Sequence, residues 1–312
     1  MNKEVRVFAP ATVANVAVGF DILGFALRAP GDEIIARRVD KAGLYIKKIT
    51  GDGGKLPYEI DKNTAGYAAR CLLRQLGKED IGVELEIHKK MPFGSGLGSS
   101  AASSAAGVMA VNALLGMPVS KMDTLHCAVL GEQVADGAYH ADNVAPSLLG
   151  GIILIRSNET LDVHRLPVPE ALHAAVVYPH VSILTKDARD VLSPTVTLQQ
   201  SIQQCGNLAG LIMGLYESDY ALIGRSLEDV IIEPQRAQLI PHFAEVKQAA
   251  LDTGALGCSI SGAGPTIFAL CQGAETASAV AKAMSGVFTQ YNIPNDPYAS
   301  PINQEGAKTI QP

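Results

Sequence analysis

The residues best suited to chemistry form a glycine- and serine-rich run at residues 92–102, Pro-Phe-Gly-Ser-Gly-Leu-Gly-Ser-Ser-Ala-Ala. Its three alternating glycines lack a Cβ, so the backbone can take positive φ and approach a ligand closely. Alanine-rich sequence follows the serines, which predicts that a helix begins there. Because the first N–H groups of a helix have no partner within it and the helix dipole is positive at that end, the run predicts an anion site, most commonly for phosphate. An ordinary turn before a packed helix is the simpler alternative.

This run matches neither of the two common nucleotide-binding fingerprints. A P-loop requires G-x-x-x-x-G-K-[ST], and the two Gly-Lys pairs, at residues 54–55 and 77–78, lack the earlier glycine and the following Ser or Thr. The dinucleotide motif G-x-G-x-x-G requires glycine at the position that Ser99 occupies. The predicted anion site therefore belongs to a different class of phosphate-binding fold.

Two further segments place polar side chains or glycine-rich turns among small or apolar residues. Residues 9–24 include Asn15 and Asp21, and a buried carboxylate needs a partner, for which a cation on a substrate is one candidate. The alternative is a turn in which both side chains bond to local backbone. Residues 257–266 end one predicted strand in a turn with Gly262 and Gly264. That turn is either a plain hairpin or a source of N–H groups for the far side of the same phosphates.

Composition indicates an ordered globular protein that does not bind nucleic acid. The 312 residues are 47% hydrophobic and 18% charged, which is typical of a folded chain with enough core for two domains or one large domain. The formal net charge is −6, whereas a nucleic-acid surface needs clustered Lys and Arg. The stretch between Lys90 and Lys121 has no charge and is long enough to cross a bilayer. Its small and polar residues favour a helix buried in a protein core instead.

The cysteines and the N-terminus predict a cytoplasmic location. The chain has five cysteines, an odd number, and no two of them form a C-x-x-C pair; they are Cys71, Cys127, Cys205, Cys258 and Cys271. This pattern predicts buried thiols in a reducing compartment, not disulfides or metal ligands. The first eight residues carry charges where a signal peptide would need an apolar run.

Hydrophobic periodicity predicts a mixed architecture. Strands are predicted at residues 5–8, 32–39, 44–49, 83–89, 152–155, 174–178, 258–261 and 266–270. Helices are predicted at residues 64–76, 99–115, 121–135, 195–216, 220–227, 243–252 and 276–291. Several strands precede each helix, so we expect an α+β fold with antiparallel sheets. The Leu-Pro-Val-Pro stretch at 166–169 predicts a boundary between domains 1–166 and 167–312, and the tail after Pro294 is expected to be irregular.

The three polar segments, in this order and spacing, resemble the three signature motifs of the GHMP small-molecule kinases. The first, Ala-Thr-x-Ala-Asn-x-x-x-Gly-Phe-Asp, takes the form found in members that phosphorylate homoserine, and the resemblance continues through residues 140–151, 185–189 and 233–236. It implies a ribosomal-S5-domain-2-like N-terminal half and a ferredoxin-like C-terminal half, usually in a homodimer. It also implies transfer of the γ-phosphoryl group of ATP to the hydroxyl of L-homoserine, with Mg²⁺, on the route to threonine.

The resemblance assigns the ATP and metal sites residue by residue. Ser100 and Glu132 correspond to the Mg²⁺ ligands, although a solvated helix face is the alternative for Glu132. Asn63 resembles the adenine contact, with helix capping as the alternative. Either Lys89 or Lys90 can face the phosphates, and we expect Lys89 to do so. The expected ATP site therefore comprises Asn63, Lys89, Pro92, Gly94, Ser95, Gly96, Leu97, Gly98, Ser99, Ser100, Ala101, Ala102, Gly262 and Gly264.

Homoserine is a zwitterion, so its site needs a group for the ammonium and another for the carboxylate. Asp21, helped by Asn15, suits the ammonium, whereas Arg189 and Arg236 suit the carboxylate because guanidinium groups match it bidentately. The resemblance adds His140, Asn143 and Thr185 as substrate contacts, with a packed core histidine as the alternative for His140.

The absence of an obvious base distinguishes the predicted mechanism. Some related kinases carry an aspartate near the position of Asn143, and an amide cannot accept a proton at neutral pH. Phosphoryl transfer tolerates this because its transition state is loose and catalysis rests on positioning and charge. Two alternatives stay open: a kinase of the same family that acts on another alcohol, and an inactive member that binds a small molecule as a sensor.

Overall fold

Eleven strands and ten helices appear in the computed structural model, which describes residues 2–137, 139–183 and 185–311. The strands are β1 Glu4–Ala14, β2 Leu23–Arg38, β3 Leu44–Thr50, β4 Val83–His88, β5 Ile152–Ser157, β6 Asp162–Leu166, β7 Leu172–Pro179, β8 Gly257–Ile260, β9 Ile267–Gln272, β10 Asn295–Pro301 and β11 Lys308–Ile310. The helices are α1 Thr64–Gln75, α2 Ser99–Leu114, α3 Lys121–Asp136, α4 Val144–Leu149, α5 Thr185–Asp190, α6 Leu198–Glu217, α7 Tyr220–Ser226, α8 Glu233–Arg236, α9 Phe243–Asp252 and α10 Ala274–Gln290.

The strands form two sheets, which confirms the predicted α+β class. The first has the order β11-β1-β2-β4-β3, with β5 paired to β2 and β6 paired to β5. The second has the order β10-β7-β9-β8. Pairing is antiparallel throughout the described strands except between β3 and β4, which run parallel. That one parallel pair departs from the expected antiparallel sheets, and it arises because α1 lies between the two strands in sequence.

The C-terminal tail is regular, contrary to expectation. Strand β10 pairs with β7, and β11 returns to the first sheet, where Ile310 lies opposite Arg6. Strand pairing overrides the tail's proline- and asparagine-rich composition because both segments lie at sheet edges, where proline is tolerated. The interval between β6 and β7 coincides with the sequence boundary at residues 166–167, but β11 belongs to the first sheet, and the division into domains 1–166 and 167–312 stays a prediction.

The charge-free stretch before Lys121 forms the central helix α2, as its small residues predict. Every α2 residue except Ser100 is buried, and the helix packs against α1, α3, β1 and β2. A Cβ on Gly107 would lie 2.8 Å from the Cα of Ala65, so this glycine lets α1 and α2 approach closely. In the described ranges no helix is both long and apolar enough to cross a bilayer.

The cysteines differ from the expectation of five buried thiols. Cys71 on α1 and Cys127 on α3 form a disulfide, with their Cα atoms 5.3 Å apart. Sequence gave no sign of this pair because 56 residues separate the two positions, and only the packing of α1 on α3 brings them together. Cys205 is an exposed free thiol, whereas Cys258 and Cys271 are buried free thiols.

Candidate active site

A cleft of about 280 Å³ lies between the glycine- and serine-rich loop and residues from several other segments between Asn15 and Gly264. Its lining brings together most of the predicted site residues with several that were not predicted. The lining residues are Asn15, Phe20, Asp21, Phe93, Gly94, Ser95, Gly96, Gly98, Ser99, Ser100, Glu132, His140, Asp142, Asn143, Ile183, Arg189, Arg236, Gly262, Ala263 and Gly264.

The three alternating glycines of the loop all adopt left-handed backbone. Their φ angles are 61° at Gly94, 79° at Gly96 and 65° at Gly98. A Cβ on Gly96 would lie 2.7 Å from the Ser261 carbonyl oxygen, and one on Gly98 would lie 2.1 Å from Thr12 Oγ1. Gly96 and Gly98 are therefore required both by conformation and by close packing, whereas Gly94 is favoured by its conformation alone.

The second glycine-rich turn, between β8 and β9, holds the loop from the other side. Ser261 Oγ donates to the Gly96 carbonyl at 2.6 Å, and the Thr266 N–H donates to the Ser95 carbonyl at 3.1 Å. Gly262 and Gly264 also have positive φ and line the cleft. The turn is thus both a hairpin and a wall of the cleft.

Helix α2 begins at Ser99 and directs its N-terminus into the cleft. Its N-cap is Gly98, and within the described chain no side chain caps the helix. The hydroxyl of Ser99 is buried and has no hydrogen-bond partner among the described residues. A ligand that accepts hydrogen bonds would satisfy these groups. The remaining residues of the predicted loop, Pro92, Leu97, Ala101 and Ala102, lie outside the cleft lining.

Ser100 and Glu132, the predicted metal ligands, are in contact. Ser100 Oγ donates to Glu132 Oε1 at 2.6 Å, and Glu132 is buried on α3. Mg²⁺ prefers oxygen ligands and commonly uses one or two carboxylates together with substrate phosphates and waters. A hydroxyl and a carboxylate beside an anion loop fit that preference. No group of three His, Cys, Asp or Glu residues suited to a metal occurs in the described part of the chain.

Two residues assigned to the ATP site have other roles in this structure. The buried Lys89 ammonium pairs with Asp32 and donates to the Ser99 carbonyl and Ser103 Oγ, both at 2.7 Å. It therefore supports α2 from beneath instead of facing the cleft. Asn63 Oδ1 accepts from the Gly66 N–H at 3.1 Å, so this residue caps α1. Neither residue lines the cleft.

Opposite the loop, the charged residues predicted to bind a zwitterion contact one another. Arg189 donates to both carboxylate oxygens of Asp21, at 3.3 Å each, and to His140 Nδ1 at 3.0 Å. Asn15 Oδ1 accepts from the Asp21 N–H at 3.1 Å and fixes the turn that carries this carboxylate. Thr185 begins α5, but its side chain lies outside the described part of the structure.

Arg236 is held rigidly beside this cluster. Its Nε donates to the Ala188 carbonyl at 2.7 Å and its Nη1 to the Gly262 carbonyl at 2.9 Å. Burial, followed by the nearby charge of Arg189, lowers the pKa of Arg236 to about 10, so the guanidinium stays charged at neutral pH. The ring of Phe20, which the sequence did not suggest, lies 5.0 Å from this guanidinium.

Asp142 is the main site residue missed by the sequence analysis. It is buried and lines the cleft, and burial, followed by the charge of Asp21, raises its pKa to about 7. The sequence did contain a signal for this residue, because Asp142 lies within the largely apolar run Ala-Asp-Asn-Val-Ala-Pro. An aspartate in such a run is seldom buried without a partner.

Asn143 has its amide oriented by a second missed residue. The buried hydroxyl of Thr12 donates to Asn143 Oδ1 at 2.8 Å. Because the amide oxygen is engaged by β1, the amide nitrogen is the group left to act as a donor. Gly98 leaves room for this pair, since its Cβ would collide with Thr12.

Family models match both halves of the chain. The model for the GHMP kinases N terminal domain matches residues 63–151, and the model for the GHMP kinases C terminal region matches residues 211–290. The first match spans the loop, Glu132 and Asn143.

Full-length relatives and solved structures extend the match. The chain is 49% identical to a homoserine kinase from Chlorobium phaeovibrioides, covering 99% of this chain and 100% of the relative. A crystal structure of homoserine kinase from Cytophaga hutchinsonii is 53% identical, with a TM-score of 0.97 over 99% of this chain and 98% of that one. A mevalonate kinase of L. major, solved with R-mevalonate, is only 16% identical, with a TM-score of 0.71 over 95% of both chains, and shares the fold.

Proposed function

The chain belongs to the GHMP kinase family, in its homoserine kinase group, and from that premise we propose that it phosphorylates the hydroxyl of L-homoserine with ATP. The product is O-phospho-L-homoserine, a step of threonine biosynthesis. The observation that carries the proposal is the union, in one cleft, of an anion-binding loop with a cluster of two carboxylates and two guanidiniums.

The phosphate end of the cleft, defined as residues 94–96, 98–100 and 262–264, suits the polyphosphate of ATP. It offers backbone N–H groups, the N-terminus of α2 and the hydroxyl of Ser99, which has no hydrogen-bond partner among the described residues. Such groups stabilise the charge that develops on a transferring phosphoryl group. Ser100 and Glu132 would hold Mg²⁺, which supplies charge neutralisation at the β- and γ-phosphates.

The substrate end, defined as Asp21, His140, Asp142, Arg189 and Arg236, suits an α-amino acid. The ammonium and carboxylate of homoserine lie on one carbon, so a complementary site needs acidic and basic groups in direct contact. Asp21 and Arg189 meet that requirement. We assign the ammonium to Asp21 and Asp142, and the carboxylate to Arg189, Arg236 and His140, with Asn15 supporting Asp21. Thr185 remains a proposed substrate contact by family resemblance alone.

Asn143 lies between the two ends and would donate to the substrate hydroxyl oxygen through its amide nitrogen. That contact orients the hydroxyl for in-line attack on the γ-phosphorus. Asn143 accepts no proton, and Asp142 is occupied at the ammonium end, since a bound ammonium between two carboxylates favours their charged forms. The hydroxyl proton would pass directly to a γ-phosphate oxygen.

ADP release measured with homoserine, mevalonate, shikimate and galactose tests the proposal. We expect turnover with homoserine to exceed that with the other alcohols by several orders of magnitude, because only homoserine presents both charges to the substrate end. Preference for mevalonate or galactose would overturn the substrate assignment, and ATP binding without transfer to any alcohol would overturn the enzymatic one.

A cytoplasmic location and a homodimer are the remaining parts of the proposal. Dependence on ATP supports the location. The disulfide between Cys71 and Cys127 removes part of the cysteine argument for it.

A further inference from the structure

Gln204 on α6 lies outside the cleft lining, yet its carboxamide bonds to two segments that carry the substrate end. Its Nε2 donates to the Val18 carbonyl at 3.3 Å and to Asp229 Oδ1 at 3.0 Å. Its Oε1 accepts from the Val230 N–H at 3.1 Å. A carboxamide has two N–H donors, and both are used here. One side chain therefore links two segments that are far apart in the sequence.

The first of these segments is a turn with unfavourable backbone geometry. Residues 15–17 all have positive φ, including 42° at Val16, and Asp21 has a φ of 60°. A β-branched residue rarely adopts this conformation, so it persists only where neighbouring contacts hold it. Val18 stands between Val16 and Asp21 in the sequence. The bond from Gln204 to the Val18 carbonyl therefore helps to fix the position of the Asp21 carboxylate.

The second segment carries Arg236 and is organised by a buried carboxylate. Asp229 is only 6% exposed, and its oxygens accept from the N–H groups of residues 231, 232 and 233, at 2.9, 3.0 and 2.8 Å. The Arg236 N–H in turn donates to the Ile232 carbonyl at 3.0 Å. Asp229 thus fixes the bend from which the Arg236 guanidinium reaches the cleft.

The ammonium-binding and carboxylate-binding groups of the substrate end are therefore connected through Gln204. Asp21 and Arg236 come from opposite halves of the chain, and Gln204 bonds to the segment of each. In an α-amino acid the ammonium and the carboxylate are attached to the same carbon, so the distance between them is short and constant. A substrate end of fixed width matches that distance, whereas a looser one would also accept a longer spacing.

We propose that Gln204 is a positioning residue that makes the cleft selective for an α-amino acid, because it holds Asp21 and Arg236 at a fixed separation. It acts through the groups to which it bonds, since it does not itself line the cleft. The proposal rests on the proposed function, in which Asp21 binds the ammonium of homoserine and Arg236 binds its carboxylate.

Steady-state kinetics of Gln204→Met with two amino acids of different spacing test the proposal. The amino acids are homoserine and 3-amino-5-hydroxypentanoate, in which one more carbon separates the ammonium from the carboxylate. Gln204→Met keeps the length of the side chain and removes its hydrogen bonds. We expect KM for homoserine to rise about 5-fold, the effect of about one hydrogen bond, with KM for ATP within about 2-fold of wild type. The preference for homoserine in kcat/KM should fall, because the longer amino acid does not use the fixed spacing.

Gln203→Met is the matched control. Gln203 is the exposed neighbour of Gln204 on α6, so this variant should equal wild type in both KM values and in the preference. Asp229→Asn weakens the same link from its other side, and it should shift KM for homoserine and the preference in the same direction as Gln204→Met.

Three results would contradict the proposal, and they are distinguishable. If Gln204 only stabilised the fold, Gln204→Met would lower kcat equally with both amino acids and leave KM for homoserine and the preference unchanged. A Gln203→Met variant that raises KM for homoserine as much as Gln204→Met does would also remove the positioning role. In both cases the proposed function would stand. Wild-type protein that releases no ADP with homoserine would overturn the proposed function, and this proposal with it.

Discussion

At the phosphate end of the cleft the groups that face a ligand belong mainly to the backbone, whereas at the substrate end they are charged side chains. The phosphate end comes from one contiguous loop and one turn, which hydrogen bonds join through Ser261 and Thr266. The substrate end is assembled from four separate parts of the chain, which contribute Asp21, Asp142, Arg189 and Arg236.

This difference indicates that the phosphate end positions the phosphates, whereas the substrate end selects the alcohol. The phosphate end is preformed, so it contributes the same arrangement whatever alcohol is bound. At the substrate end, Asp21 and Arg189 satisfy each other in the structure. A ligand gains from entering only if it offers both charges in exchange, because a ligand with one charge leaves either Asp21 or Arg189 without its counter-charge.

Substitution of Lys89 tests whether its buried ion pair with Asp32 supports the phosphate end. Lys89→Met should destabilise the protein by about 3–5 kcal/mol, since it leaves the buried Asp32 without its counter-charge. The free energy of unfolding from urea denaturation measures the effect. Lys90→Met, which removes the neighbouring and half-exposed ammonium paired with Glu33, should cost no more than about 1 kcal/mol. Equal effects of the two changes would remove Lys89 from its structural role.

Glu132 tests the chemistry of the phosphate end. Glu132→Gln should leave the fold intact and lower kcat by about 10²–10³, or about 2.7–4 kcal/mol, because a charge-stabilising group is lost. Steady-state ADP release at several Mg²⁺ concentrations measures it. Glu275→Gln, exposed in the first turn of α10, is the control and should be silent. Near-normal kcat in Glu132→Gln at ordinary Mg²⁺ would exclude this residue from the metal site.

Asp142 tests the substrate end through pH. In the free enzyme its pKa is raised to about 7, so kcat/KM for homoserine should fall as the pH drops through 7. Asp142→Asn should lower kcat/KM at pH 8 by about 30-fold, the loss of one charged contact, and should abolish that pH dependence. A limb near pH 7 that persists in the variant would assign the titration to another group.

The same residue links function to stability. A carboxyl whose pKa is raised from 3.8 to about 7 by folding stabilises the fold fully below pH 3.8 and loses that contribution as the pH rises to 7. Asp142→Asn stays neutral, so above pH 7 the variant should be the more stable protein, by at most about 4 kcal/mol. Thermal unfolding at pH 5 and pH 8 measures the difference. A variant less stable than wild type at pH 8 would contradict the buried, ligand-free carboxylate.

Substitution of Thr12 tests the hydrogen bond to Asn143, between the two ends of the cleft, and should have the smallest effect on kcat. Thr12→Val keeps the shape but removes the hydrogen bond to Asn143, worth about 1 kcal/mol. We expect kcat to fall about 5-fold with KM for ATP unchanged. Thr12→Ser retains the hydroxyl and should restore kcat. If Thr12→Ser is as slow as Thr12→Val, packing of the methyl group matters instead of the amide orientation.

The sequence predicted the phosphate end more completely than the substrate end, for a physical reason. Alternating glycines and a helix N-terminus are local features, so Gly94, Gly96, Gly98 and Ser99 could be assigned from their order alone. The position of the Lys89 ammonium could not be assigned in this way, because it depends on an ion pair with Asp32, 57 residues away. Strand alternation fixes only the side of the sheet toward which a lysine points.

Residues brought together by tertiary contacts were the ones missed. Asp142 and Thr12 acquire their roles from neighbours on other elements, and the pairing of Cys71 with Cys127 depends on how α1 packs against α3. In the tail, β10 and β11 form because the edges of two sheets are available, which overrides local propensity. Helix α9, whose pattern is local, begins and ends where periodicity predicts.

The selection of a zwitterion by the substrate end is tested most directly by the KM values for homoserine and ATP in Asp21→Asn and Arg189→Leu. Both variants should raise KM for homoserine by about 30-fold or more while KM for ATP stays within about 2-fold of wild type. Arg189→Leu should scarcely affect the poor substrate 3-aminopropanol, which lacks a carboxylate, and Asp21→Asn should penalise homoserine more than 4-hydroxybutyrate. Equal weakening of ATP and homoserine, or equal loss with all alcohols, would contradict the account.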